Sequence, residues 1–304
     1  MLTIFVVLFS LLLLSVLFYS GLILIMYWRA KVYHRLSRKA YAILSLFRLF
    51  ALVGQIFSAV GQLIWWQLTK TKALPGCPKG SEKRPLVLCV HGFHMNGNCF
   101  YGMRRYLEAQ GYATYAVNLG RPYISPKRYV QRLQEALLQG AHSAENGKVH
   151  IIAHSMGGLI CRMLLKDHPE SQHNIASIIT LGTPHKGTAA VGEYALPWLK
   201  TLFHPDSRHL AELPSFAEIA PNLPTLTLAS EHDFVVYPTD HALLADSSQL
   251  CLQYVSHVGM LTLAQIYTLL NQELKRFETM RRVVERSDTG YGEDSNPLKE
   301  KLLS

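Results

Sequence analysis

The sequence predicts an α/β domain on a mostly parallel sheet, preceded by an apolar N-terminal region, and three observations lead there. Six short apolar runs, at 86–90, 113–117, 149–153, 175–181, 225–229 and 250–255, alternate with stretches of helical periodicity such as 101–109, 129–139 and 156–166. The stretch KVHIIAHSMGGLI at 148–160 reads as strand, sharp turn and helix. Residues 1–28 carry no charged side chain and are dominated by Leu, Ile, Val and Phe.

That uncharged run is long enough to cross a bilayer core, which takes about 20 apolar residues. It lacks the basic leader and small-residue cleavage site of a secretory signal, so it reads as an uncleaved anchor, with Tyr19, Tyr27 and Trp28 suited to the interface. A basic cluster follows at 29–39, then a second apolar stretch at 40–68 broken only by Arg48. Two arrangements fit this stretch. As a second transmembrane helix, it would turn Ser45, Arg48, Gln55, Ser58 and Gln62 toward the first. As an amphipathic helix, it would lie in the interface, anchored by Trp65 and Trp66. The absence of charge from 49 to 69 favours the hairpin. The positive-inside rule then places 29–39 in the cytoplasm and the following domain on the other side; under the interfacial arrangement the domain is cytoplasmic.

The charge of +9 follows the same division. Residues 1–84 hold eleven Lys and Arg against one acid, Glu82, leaving 19 basic and 20 acidic residues for the remainder. A near-neutral folded part argues against a nucleic-acid footprint, and the basic residues fit juxtamembrane cations. Cys77, Cys89, Cys99, Cys161 and Cys251 are too irregularly spaced for a disulfide framework or a zinc site. Cys89, Cys161 and Cys251 lie in apolar runs and read as core residues, whereas Cys77 and Cys99 flank the first strand and could pair under oxidising conditions. No His, Asp or Glu cluster has metal-ligand spacing, so no cofactor is expected.

The expected organisation is therefore an anchor at 1–70, a Pro- and Gly-containing linker at 71–84, a sheet domain at 85–280 and a disordered polar tail at 281–304. A closing helix is expected at 260–280. The interval 187–224 contains no clear strand and fits either a small helical cap or helices packed on the sheet.

Small residues Ala153 and Gly157 flank Ser155, giving A-x-S-x-G, which permits close approach of strand and helix at a nucleophile-bearing turn. The same residues also fit a serine that simply caps a helix. The first strand runs into His91, Gly92 and Phe93, a turn that can aim an amide at an oxyanion. The amides of Phe93 and Met156 are the expected pair of donors, with His91 and Gly92 supporting the loop. A serine nucleophile needs a base and an orienting carboxylate, in the order Ser, acid, His for this architecture. Asp233 follows the strand at 225–229, with Glu231 as the alternative acid, and His257 follows the run at 250–255. His232 and His241 read as solvated loop residues.

HGF at 91–93, AHSMGG at 153–158, LGTPHKGT at 181–188, the Asp233 stretch ending in VVYP, and SHVGM at 256–260 together resemble a bacterial lipase or esterase of the α/β-hydrolase superfamily. The resemblance spans about residues 85–280. It implies an α/β-hydrolase fold, a triad of Ser155, Asp233 and His257, and an oxyanion hole at Phe93 and Met156. It also implies that the Gly-Thr-Pro-His run shapes the acyl pocket, with His185 structural. Ala153 in place of the usual first glycine is the one departure.

The expected activity is membrane-anchored hydrolysis of lipid or lipid-like carboxylic esters through an acyl-enzyme on Ser155. The partners expected are the ester substrate and the bilayer, and no nucleic acid. Acyl transfer or thioester hydrolysis would use the same triad, and a catalytically inactive membrane scaffold is the reading of a different class.

Overall fold

The computed structural model describes residues 84–288, apart from residue 193. The elements alternate from the start: β1 (Leu86–Val90), α1 (Tyr101–Ala109), β2 (Ala113–Val117), α2 (Pro126–Ser143), β3 (Val149–His154), α3 (Met156–Asp167) and β4 (Ile175–Leu181). Three short helices follow, α4 (Pro197–Phe203), α5 (Arg208–Ala211) and α6 (Phe216–Ile219). The chain then makes β5 (Thr225–Ser230), β6 (Ser248–Leu252), α7 (Gly259–Thr262) and α8 (Ala264–Asp288).

The strands form one sheet in the order β2-β1-β3-β4-β5-β6, and every neighbouring pair is parallel. This is the α/β-hydrolase fold the sequence anticipates. Because β2 and β3 lie on opposite sides of β1, the winding reverses there, and a crevice opens at the carboxyl ends of the strands.

Successive strand residues face opposite sides of the sheet, and the two faces bury two separate cores. Leu86, Leu88 and Val90 pack with Ile151 and Ala153 under α2 and α3; Val87, Cys89, Ile152 and Ile179 pack under α1 and α8. Burial on both faces is why β1 and β3 read as unbroken apolar runs. Helix α8 presents Ile266, Leu270, Leu274 and Phe277 along one stripe to the second core.

Several expectations need correction. The closing helix is two helices, because Leu263 adopts an extended backbone between α7 and α8. Helix α8 also runs to Asp288, so residues 281–288 are helical rather than tail; an Arg282–Glu278 ion pair at 3.9 Å and the half-buried Val283 continue its pattern. The last strand starts two residues earlier than the apolar run, leaving Val255 in the loop that carries His257. Cys251 is exposed, since β6 is the edge strand and pairs only with β5. Cys99 is a buried free thiol, while Cys77 lies outside the described residues.

The interval 187–224 forms short helices packed on the core over one face of the sheet. Leu202, Phe203, Leu210, Leu213 and Phe216 are buried in the core shared with α2 and α3, and Trp198 of α4 reaches the loop after β1. Arg162 of α3 holds the segment down, donating to the carbonyls of Pro214 at 3.0 Å, His185 at 2.9 Å and Leu213. The anchor expected at 1–70 and most of the linker lie outside the described residues, and no helix among the described residues is long and apolar enough to cross a membrane.

Candidate active site

Ser155 stands at the corner between β3 and α3 with φ 54° and ψ −125°, a left-handed backbone that costs a β-carbon residue of order 1–3 kcal/mol. It occupies the capping position of α3, yet its side chain makes no capping bond, so the helix-cap alternative does not describe its hydroxyl. Three hydrogen bonds fix the corner. Its amide donates to the Leu181 carbonyl at 2.9 Å, and its carbonyl accepts from the Gly158 amide at 3.1 Å and the Thr183 hydroxyl at 2.9 Å.

The small flanking residues have a steric reason. A β-carbon at Gly157 would lie 2.5 Å from the Val90 carbonyl oxygen. Ala153 is fully buried in register between Val90 and Thr180, and its single methyl is accommodated there.

Asp233 and His257 come together from the loops after β5 and β6. His257 Nδ1 donates to Asp233 Oδ2 at 2.7 Å, while Asp233 Oδ1 accepts from the amides of Val235 at 2.8 Å and Val236 at 2.9 Å. Both residues are buried. With Nδ1 engaged, the remaining nitrogen, Nε2, is the one available to act as a base. Gly182 makes room for the pair: at φ 54° its β-carbon would sit 2.9 Å from Asp233 Oδ2 and 3.0 Å from His257 Nδ1.

The alternatives separate cleanly. Glu231 is exposed, and its amide pairs with the Leu252 carbonyl of β6. His232 and His241 brace loops rather than standing in solvent, His232 Nδ1 accepting from the Tyr254 amide and His241 Nδ1 donating to the Gly187 carbonyl. His185 is buried against Phe216 and bonded to the Thr180 hydroxyl at 3.1 Å, a structural position.

The loop after β1 is tied by its histidine. His91 Nδ1 donates to the Gly92 carbonyl at 2.8 Å, and Nε2 accepts from the Leu119 amide at 2.9 Å at the end of β2. Burial lowers its pKa from 6.5 to about 4, so it stays neutral in this role. Among the described residues, neither the Phe93 nor the Met156 amide donates to another protein atom. The Phe93 ring stacks on Trp198 at 5.1 Å and meets Tyr123 at 5.2 Å and Phe203 at 5.9 Å. The Trp198 indole N–H donates to the Ile124 carbonyl at 3.0 Å.

The sequence places Gly182 and Thr183 in a pocket-shaping run and Trp198 in the candidate cap, but assigns His154 no role, and none of the four has a partner legible from the sequence. Thr183 and Gly182 lie within the quoted LGTPHKGT run and His154 within AHSMGG, so the signal was the motif, without the partners.

Sheet order, corner serine and paired acid and imidazole define an α/β-hydrolase-fold domain. Residues 85–203 match the family model described as alpha/beta hydrolase fold. Among curated proteins, the lysosomal thioesterase PPT2 of Mus musculus is 33% identical over 132 residues, covering 42% of each chain. A triacylglycerol lipase of Pseudarthrobacter phenanthrenivorans is 30% identical over 110 residues, covering 34% of each. The chain thus spans less than half the length of these relatives. The crystal structure of Aspergillus fumigatus lipase B superposes with a TM-score of 0.54 at 17% identity, over 64% of this chain and 53% of that one, which speaks to the fold.

Proposed function

We propose that this protein is a membrane-anchored serine hydrolase that cleaves acyl esters of lipids or lipid-like molecules through an acyl-enzyme on Ser155. The observation that carries the reading is the buried 2.7 Å bond between His257 Nδ1 and Asp233 Oδ2, in the same site as a serine on a left-handed strand-to-helix corner. Ser155 Oγ attacks the substrate carbonyl and its proton passes to His257 Nε2, while Asp233 holds the ring and stabilises the imidazolium. The oxyanion accepts from the amides of Phe93 and Met156, each worth about two to three orders of magnitude in turnover. His257 then returns the proton to the leaving alcohol, and water, activated by the same ring, releases the acid.

The aromatic wall of Phe93, Tyr123, Trp198 and Phe203 supports an apolar acyl group, since it offers ring faces beside the expected oxyanion position. The anchor belongs to the same reading and is supported by the uncharged run at 1–28 and the basic cluster at 29–39. If 40–68 also spans, the catalytic domain is non-cytoplasmic.

Thioester hydrolysis is the second reading, favoured by the match to the PPT2 thioesterase. Its chemistry is identical up to the leaving group, a thiol in place of an alcohol. The test uses the full chain in detergent, with and without Ser155→Ala, exposed to a fluorophosphonate, p-nitrophenyl esters of increasing length and an acyl-thioester with thiol detection. Labelling and turnover lost in Ser155→Ala support the serine hydrolase, and the ratio of ester to thioester turnover separates the two readings. A folded wild-type chain that takes no label with lipid present would leave the scaffold reading standing.

A further inference from the structure

His154, the last residue of β3 and the neighbour of Ser155, is fully buried. Its Nε2 lies 2.9 Å from the backbone carbonyl oxygen of His257, 103 residues away. A carbonyl only accepts, so Nε2 carries the proton and donates. The other nitrogen, Nδ1, is then a bare lone pair with no partner, packed against Gly92, where a β-carbon would come within 3.2 Å of it. The two imidazole rings lie 4.5 Å apart at 53°.

This bond ties the loop that carries the base to the end of β3. His257 sits on a loop five residues beyond the edge strand β6, and that loop includes Tyr254 with φ 59°. Ser155 stands at the end of the central strand β3. Through His154 the backbone of the base is tied to the residue adjacent to the nucleophile, by one hydrogen bond and one peptide link. The loop that carries the base is therefore held at the end of β3 as well as by its own strand and by the Asp233 bond.

We propose that His154 is the positioning residue for the base: its Nε2–H, bonded to the His257 carbonyl, fixes the reach between the His257 imidazole and Ser155. The proposal rests on the reading of Ser155 and His257 as nucleophile and base. The ring must stay neutral, because a protonated His154 would set a second cation 4.5 Å from the imidazolium that forms on His257 and would leave Nδ1–H buried without a partner. Burial first, then the charge of His257 and, more weakly, of His91, hold its pKa well below 6.5, and the His257 carbonyl opposes them only in part. The titratable groups facing it are His257 and His91, with Asp233 behind His257.

The test compares His154→Gln, whose amide N–H2 stands where Nε2 stands, with His154→Asn, whose amide reaches only the Nδ1 side, and with His154→Phe, which keeps a ring and loses the donor. Each is made in the full chain, and kcat, KM, the pH profile of kcat/KM and the thermal midpoint are measured with a p-nitrophenyl ester. The expected order of kcat is wild type, Gln, then Asn and Phe. The last two fall about a hundredfold, the scale of a misplacement near 1 Å, with KM little changed and the acid limb of the profile moved. Equal loss in Gln and Asn, or a folded Phe variant with wild-type kcat and pH profile, overturns the proposal. If Phe does not fold, the Gln-to-Asn ratio alone decides. A proton NMR readout separates this from failure of the hydrolase reading: the downfield resonance of the Asp233–His257 hydrogen bond should persist in Gln and broaden or move in Asn, whatever the turnover. An unmoved resonance in Asn counts against the proposal.

Discussion

The Thr183 hydroxyl donates to the Ser155 carbonyl at 2.9 Å, so a residue from the loop after β4 holds the strained corner that presents Ser155, the proposed nucleophile. Thr183 is fully buried and packs over Gly158, where a β-carbon would come within 3.0 Å of its side chain. Thr183→Val keeps the shape and removes the donor. Stability should fall by about 1–2 kcal/mol, the usual cost of losing a buried hydrogen bond. Turnover should fall about tenfold through loss of alignment at Ser155. Thr183→Ser keeps the hydroxyl and should restore most of the turnover. Thermal unfolding and kcat on a short-chain ester check both outcomes.

The two contacts of Asp233 Oδ1 and the single contact of Oδ2 give a definite expectation for its amide. In Asp233→Asn, the oxygen can still accept from Val235 and Val236, which leaves the amide nitrogen facing His257 Nδ1. A donor there forces the imidazole proton onto Nε2, where it cannot serve as base. A fall in kcat of about 10⁴-fold is expected, with the fold intact. Glu231→Gln should leave kcat unchanged, since Glu231 is exposed and does not meet His257. Steady-state kinetics and circular dichroism on the two variants decide which carboxylate is used.

Much of this architecture is legible in the residues because a doubly covered parallel strand must be apolar on both faces. β1, β2 and β4 coincide with the apolar runs, and Ser155, Asp233 and His257 follow because the fold delivers them at strand ends. The parts that are not legible depend on pairing across the fold. The start of β6 is fixed by Ser248 pairing with Leu226, not by its own composition. Cys251 looks like a core residue until the strand is known to be an edge. The last turns of α8 resemble a tail because charged residues dominate them, with Arg282 paired to Glu278 one turn back. His154 and Thr183 reach partners 103 and 28 residues away, a relation no local pattern carries.

Trp198 stacks on Phe93, the residue whose amide is the expected oxyanion donor, and is itself tethered to the Ile124 carbonyl. Trp198→Ala would remove a ring from the wall and loosen α4 from the β2–α2 loop. Loss of kcat/KM should grow with acyl chain length, about 1–3 kcal/mol for long chains and less for acetate or butyrate esters. Trp198→Phe keeps the stack without the N–H and should fall between. A chain-length series of p-nitrophenyl esters on the three proteins measures this, and a loss equal at every length would assign Trp198 to folding alone.

Buried histidines outside the proposed triad make stability depend on acid, His91 and His150 among them. His91 is held at about 4 by burial, opposed by its bond to Gly92. His150 is held at about 4 by burial and then by the charge of Arg281, despite the Glu278 carboxylate 3.7 Å away; its Nδ1 bonds the Ser177 hydroxyl at 2.8 Å. Unfolded, both return to an ordinary value near 6.5. Between about pH 6.5 and 4 the unfolded chain therefore binds more protons, and stability rises with pH across that window. The contribution is complete above pH 6.5 and lost as pH falls toward 4, at about 3 kcal/mol per histidine. The thermal midpoint should drop steeply from pH 7 to pH 4.5. In His150→Gln, whose amide does not titrate and can still reach Ser177, the same drop should be shallower. Parallel curves for wild type and variant would show that folding does not lower the His150 pKa.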